Sequence, residues 1–184
     1  MLYIMRVGLT ILILIAGFTQ ASAADHIAVE YGNSGLGVHV TRIAFQHDLA
    51  MFQDSDCRCD HSYWEVDLGS WRSRDSSLFE NQLAEVGFTP VFRLQRSPFS
   101  FFKWGEPFLE GGLGFHYVSN NSIADTSFLT STKFLFGDHL GFGFSFGKHN
   151  PFIIGLRFQH LSNANIQLPN PGINLRLIHL SYQF

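Results

Sequence analysis

From Ile27 onward the chain alternates apolar and polar residues with a period of two, broken by clusters of turn residues. Such alternation, enriched in aromatic and β-branched side chains, predicts strands rather than helices. The first segment, "IAVEY" (Ile27 to Tyr31), runs into the turn Gly32-Asn33-Ser34-Gly35, followed by "LGVHVTRIAFQHD". Six further segments follow: "YWEVDLGSW", "LAEVGFTPVFRLQ", "PFLEGGLGFHYVS", "TKFLFGDHLGFGFSFG", "PFIIGLRFQHLS" and "INLRLIHLSYQF". The total is eight strands if the Phe/Gly-rich stretch from about Thr130 to Gly147 is a single one. No segment after the N-terminal run carries a helical stripe.

Alternation does not by itself say which face is inside. In the last segment Tyr182, Leu180, Ile178 and Arg176 share one face, and Gln183, Ser181, His179 and Leu177 the other. A soluble barrel buries the apolar face; a membrane barrel turns it toward lipid and keeps the polar face within. Two features favour the membrane. The opening "MLYIMRVGLTILILIAGFTQASA" has an early Arg6, an apolar core from Val7 to Phe18 and an A-x-A exit at Ala21-Ser22-Ala23, which reads as a signal peptide cleaved after residue 23. The terminal Phe184, with Tyr182 two residues earlier, resembles the C-terminal signature of bacterial outer-membrane barrels. The expected fold is therefore all-β: an eight-stranded antiparallel transmembrane barrel of the outer membrane, one domain over residues 24–184. About 9–11 residues per strand suffice to cross the hydrocarbon, and a barrel this narrow is filled by side chains rather than open as a pore. With both termini periplasmic, the connection Asn163 to Gly172 is extracellular and "GKHN" (Gly147 to Asn150) is a periplasmic turn.

Composition changes this picture little. A net charge of −3 leaves no basic footprint for nucleic acid. Beyond the signal no apolar run is long enough to span a bilayer as a helix. Cys57 and Cys59, separated only by Arg58, are too close for an unstrained disulfide and too few for a zinc site, so they read as loop residues. The nine histidines have no sustained ligand spacing, and neither a metal nor another cofactor is expected.

The phase of the seventh segment carries the chemistry. Phe152, Ile154, Leu156 and Phe158 share one face; Gly155, Arg157 and Gln159 share the other. The apolar set must face lipid, because an arginine on the lipid face at depth costs about 2–4 kcal/mol. Continuing the alternation puts His160 and Ser162 on the lipid face at the outer end. The last strand in the same phase puts Asn174 and Arg176 outward beside them. Residues i and i+2 of a strand share a face, so an imidazole and a hydroxyl can meet there, and a serine hydroxyl needs such a base to become nucleophilic.

"QHLSNANIQLPNPGIN" (Gln159 to Asn174) resembles the active-site segment of the PagL outer-membrane lipid A 3-O-deacylases, with its H-x-S-N-A and P-N-x-G elements. "TPVF", "PFLEGGLGF" and "FLFGDHLGFGFSFG" resemble the family's strand segments in order, so the likeness covers most of the mature chain. It implies a lipid A deacylase acting on lipopolysaccharide at the outer leaflet, with Ser162 as nucleophile and His160 as general base. The family's third member is a Glu that orients the histidine; the matching position here is Asn174, and no Asp or Glu follows Asp138. An Asn can orient an imidazole, as in Cys-His-Asn proteases, although it stabilises the imidazolium less than a carboxylate.

Asp138 is the rival orienter. A tight turn near Lys148 would pair Phe146 with about Phe152, setting Asp138 opposite His160 on the outward face unless a bulge near Gly137 turns it inward. Asn163 and Asn170 match the motif and are candidate oxyanion donors, or ordinary turn residues. Arg176 is a candidate for substrate positioning through a lipid phosphate, or a headgroup-boundary residue. Two other functions stay open: a non-enzymatic barrel serving adhesion or membrane integrity, and a soluble periplasmic ligand-binding barrel. A homodimer is left open as well.

Overall fold

The computed structural model describes residues 25–34, 37–49, 61–73, 82–95, 105–121, 131–147 and 151–184. The signal segment and Cys57 and Cys59 lie outside these residues. Eight strands follow in chain order: β1 (Asp25–Asn33), β2 (Val38–Asp48), β3 (His61–Ser73), β4 (Gln82–Gln95), β5 (Glu106–Val118), β6 (Phe134–Phe146), β7 (Phe152–Ser162) and β8 (Ile173–Gln183). Each pairs antiparallel with its neighbours, and β8 returns to β1 to close the barrel. The stretch from Thr130 to Gly147 contributes a single strand, so the count of eight holds.

Which face is inside follows from exposure. Leu113 and Leu140 are 73% and 67% exposed, and outward Phe, Leu, Ile and Val side chains continue around the wall. Glu30, Arg42, Glu65, Asp67, Glu85, Arg93, Glu110 and Arg157 are all buried inside. A polar interior under an apolar exterior is the arrangement lipid requires, and closing the sheet leaves no unpaired edge in the hydrocarbon.

The interior has two storeys. At mid-height Arg157 donates to Glu110 Oε1 (2.7 Å), Glu30 Oε1 (2.7 Å), Glu65 and the Tyr63 hydroxyl (2.7 Å). Arg42 grips Glu85 through Nε (2.8 Å) and Nη2 (2.9 Å). Arg93 donates to Glu110 Oε2 (2.7 Å) and lies over the rings of Tyr63 and Phe108. Toward the end of the barrel remote from the chain termini these ion pairs give way to a buried apolar cluster that includes Val38, Val40, Trp71, Leu161, Ile173 and Leu175. Leu161, Ile173 and Leu175 alternate with the candidate site residues along β7 and β8. The site wall is thus backed by packed hydrocarbon, with no water channel needed behind it.

Candidate active site

β6, β7 and β8 form the wall that carries the site. Phe146 pairs with Phe152, and the same register sets Asp138 opposite His160. On the other side His160 pairs with Asn174. The three side chains lie abreast on adjacent strands, all in the outward phase. Alternation in β6 runs unbroken through Gly137, so no bulge turns Asp138 inward, and its side chain is exposed.

His160 Nδ1 lies 2.8 Å from Asn174 Oδ1. An amide oxygen can only accept, so the proton sits on Nδ1 and the neutral ring keeps Nε2 free to take a proton. Among the described residues Asp138 makes no hydrogen bond or ion pair, although it stands one strand away. Of the two candidate orienters, Asn174 is the one in contact.

Ser162 ends β7, half-buried, two residues beyond His160 on the same face. Among the described residues its hydroxyl is contacted by the Ala164 backbone N–H (3.5 Å) and not by the imidazole. Catalytic hydrogen bonds are often loose before substrate arrives. Opposite Ser162 stands Phe136, which forms a cluster of three rings with Phe115 and Phe134 at centroid distances of 5.4–5.8 Å. An apolar surface therefore adjoins the hydroxyl on the β6 side.

The loop after Ser162 folds upon itself. Asn163 is 1% exposed; its backbone N–H donates to Asn170 Oδ1 (3.0 Å) and its side-chain amide to the Gln167 carbonyl (2.7 Å). Asn170 in turn donates to Asn165 Oδ1 (3.1 Å). Each candidate oxyanion residue spends one side-chain N–H on shaping the loop, and Ala164 and Asn165 hold positive φ of 53° and 60°. The backbone N–H nearest the hydroxyl is that of Ala164.

Gly172 is a residue the sequence reading gave no role. It has φ of +65°, and a Cβ there would lie 2.7 Å from His160 Cε1. The imidazole occupies the space a side chain would fill. The P-N-x-G element, which ends on this glycine, was the available signal.

Arg176 is outward and exposed, one layer below Asn174 on β8, and has no hydrogen-bond or ion-pair partner among the described residues. Away from this wall, Asp67, Glu85 and His116 bring ligand-type atoms within 4.8 Å of one another inside the lumen. Glu85 already accepts from both Arg42 nitrogens and from Trp71 Nε1, and His116 Nδ1 is 2.9 Å from it. Its carboxylate is saturated by protein donors, so the trio is built as part of the ion network and poorly as a cation cage. It was invisible to spacing arguments because it draws on three strands.

The sequence model of the family described as "Lipid A 3-O-deacylase (PagL)" matches residues 34–183. This chain belongs to the PagL family. Among curated relatives, a lipid A deacylase PagL of Bordetella bronchiseptica is 42% identical over 104 residues, 55% of this chain and 56% of that protein. The aligned stretch thus spans little more than half of that relative. The lipid A deacylase PagL of Pseudomonas aeruginosa is 29% identical over 84% of this chain and 83% of its own length. The crystal structure of the outer-membrane enzyme PagL superposes with a TM-score of 0.69 at 21% identity, over 85% of this chain and 98% of that one. The fold is that of PagL, and the chain is a multi-pass β-barrel of the outer membrane in a family of ester-hydrolysing enzymes.

Proposed function

We propose that this PagL-family barrel removes the ester-linked 3-O acyl chain from lipid A in the outer leaflet, with Ser162 as nucleophile, His160 as general base and Asn174 as the group that orients the base. The observation carrying the reading is the 2.8 Å contact between His160 Nδ1 and Asn174 Oδ1 on the lipid-facing wall. It fixes the tautomer that leaves Nε2 as acceptor, on the face where Ser162 lies.

The chemistry then runs in two halves. His160 Nε2 takes the proton of Ser162 as Oγ adds to the acyl carbonyl, and returns it to the departing sugar oxygen. Water, activated by the same nitrogen, releases the fatty acid from the acyl-serine. The Ala164 N–H, 3.5 Å from Ser162 Oγ, is close enough to turn from the hydroxyl to the oxyanion that develops on the acyl carbonyl beside it. The acyl chain leaving the ester has Phe136 and its neighbouring rings to lie against. Asn174 in place of a carboxylate lowers the rate without abolishing it, because tautomer and orientation are kept while imidazolium stabilisation is reduced. Every residue invoked belongs to one chain, so a homodimer would not be needed for the reaction.

A non-enzymatic barrel is the second reading. It is favoured by the missing carboxylate and by the absence of a Ser162–His160 hydrogen bond among the described residues. Mass spectrometry of lipid A from cells carrying the wild type, the Ser162→Ala variant or neither separates the two. The enzyme reading expects loss of one ester-linked acyl mass with the wild type only; identical lipid A in all three would leave the non-enzymatic reading standing.

A further inference from the structure

Arg176, beside the catalytic wall and without a partner among the described residues, points to a subsite for the phosphate nearest the ester of the substrate glycolipid, and we infer that it fixes which way lipid A lies across the barrel. The inference rests on the deacylase reading. Arg176 pairs with Asn33 across β8 and β1, Asn33 with His39 across β1 and β2, and His39 with Arg72 across β2 and β3. All four point outward, so they form one continuous polar row. One layer further down come Ile178, Tyr31, Thr41 and Ser70, and below those Leu180, Val29, Ile43 and Leu68. On β8 the outward residues change from Tyr182, Leu180 and Ile178 to Arg176 and Asn174, which sets Arg176 at the upper boundary of the apolar face, while strand tilt carries the rest of the row to other heights.

Its charge is one-sided. Among the described residues, the outward faces of β8, β1, β2 and β3 in this upper layer carry two arginines and no Asp or Glu. Asp138, the one acid near the site on the outward face of the wall, lies on the opposite side of His160. Arg72 lies within hydrogen-bonding reach of the Gln82 side-chain amide on β4, and Tyr31 stacks on His39 at 6.3 Å between ring centroids. These contacts brace the far end of the row. Arg176 has no partner among the described residues, which leaves its planar fork for an incoming anion. A guanidinium meets a phosphate with two parallel hydrogen bonds.

Arg176 suits one end of lipid A, a disaccharide phosphorylated at both ends. Arg176 lies about 7 Å along β8 from Asn174, at roughly 3.4 Å per residue. With its long side chain it can reach the phosphate on the same sugar that carries the ester at Ser162. Arg72 lies three of eight strands further around the closed wall, so its side chain leaves the barrel in another direction and does not reach the same disaccharide. The headgroup would thus extend from the catalytic wall over β8 toward β1, away from Asp138.

Binding is the direct test, measured on the detergent-refolded barrel with Ser162→Ala in place so that no turnover intervenes. The probes are diphosphorylated lipid A, lipid A lacking the phosphate of the ester-bearing sugar, and phosphatidylglycerol vesicles. Arg176→Gln should weaken binding of the diphosphorylated form about tenfold, leave the form lacking the near phosphate within about twofold, and leave the vesicles unchanged. Arg72→Gln, an arginine on another face of the barrel, should leave both lipid A forms within about twofold, and Arg176→Lys should recover part of the loss. Equal loss on both lipid A forms, equal loss on the vesicles, or no loss at all would overturn the inference. Because the readout is binding, a wild type that failed to deacylate would count against the proposed reaction and leave this result readable on its own.

Discussion

Two regions of this barrel hold its polar chemistry, and they obey different rules. At mid-lumen, eight charged side chains are buried in a network where Arg157 alone reaches three carboxylates and a tyrosine. On the outer wall at the end of β7 and β8, His160, Ser162 and Asn174 share one hydrogen bond. The lumen must be polar-satisfied because a buried charge without partners is costly. Its density of ionisable groups is what a narrow membrane barrel with polar inward positions demands. Nothing in the fold demands a histidine, a serine and an asparagine side by side on the lipid face. The sparse cluster is therefore the better candidate for function, and the crowded one is structure.

Substitutions can break that contrast, starting with the largest effect. Ser162→Ala should lower the deacylation rate by at least about a thousandfold, while the barrel keeps its heat-modifiable gel migration. Adding His160→Ala should cost little more, because members of one catalytic unit are not additive; a further large drop on the double variant would argue that they act separately. Arg157→Leu should do the reverse. It removes the cation shared by Glu30, Glu65 and Glu110, leaving them their remaining partners Arg42, Gln46 and Arg93, and should cost about 3–5 kcal/mol of stability, read as a lower urea midpoint. A full-stability Arg157→Leu barrel would mean the network is not what holds the interior.

Smaller effects sharpen the comparison within the wall. Asn174→Ala should reduce kcat roughly thirtyfold, by about 2 kcal/mol, through loss of the hydrogen bond that sets the tautomer. Asn174→Glu should raise kcat above wild type, since an ionised acceptor makes a stronger bond to the imidazole. Asp138→Asn should leave kcat closer to wild type than Asn174→Ala does; the opposite order would transfer the orienting role to Asp138. Gly172→Ala should have the smallest effect, about 1 kcal/mol of stability from its positive φ with a several-fold drop in kcat as the methyl presses on His160.

The strand wall was legible because alternation survives lipid and lumen alike. The eight segments, the outward phase of His160, Ser162, Asn174 and Arg176, and the pairing of Asp138 with His160 all follow from a two-residue period and one tight turn. The lumen network was not legible beyond its inward phase. Its partners meet across the barrel, as Arg157 meets Glu30 from 127 positions away, and alternation carries no information on which opposite residue is met. The loop was the other blind spot. Asn163 and Asn170 read equally as oxyanion donors or as turn residues, and no periodicity could show that left-handed backbone at Ala164 and Asn165 brings their amides into hydrogen bonds within the loop. Gly172 escaped notice for the same reason, since its importance lies in the absence of a side chain beside a ring.

The central claim is that Ser162 is a nucleophile presented to the membrane and activated by His160. A long-chain fluorophosphonate that partitions into outer-membrane vesicles tests it directly, with the modified residue located by peptide mass spectrometry. The account predicts an adduct on Ser162 in the wild type that disappears in His160→Ala. Deacylation of lipid A by a barrel whose Ser162 stays unmodified, or labelling undiminished in His160→Ala, would contradict it.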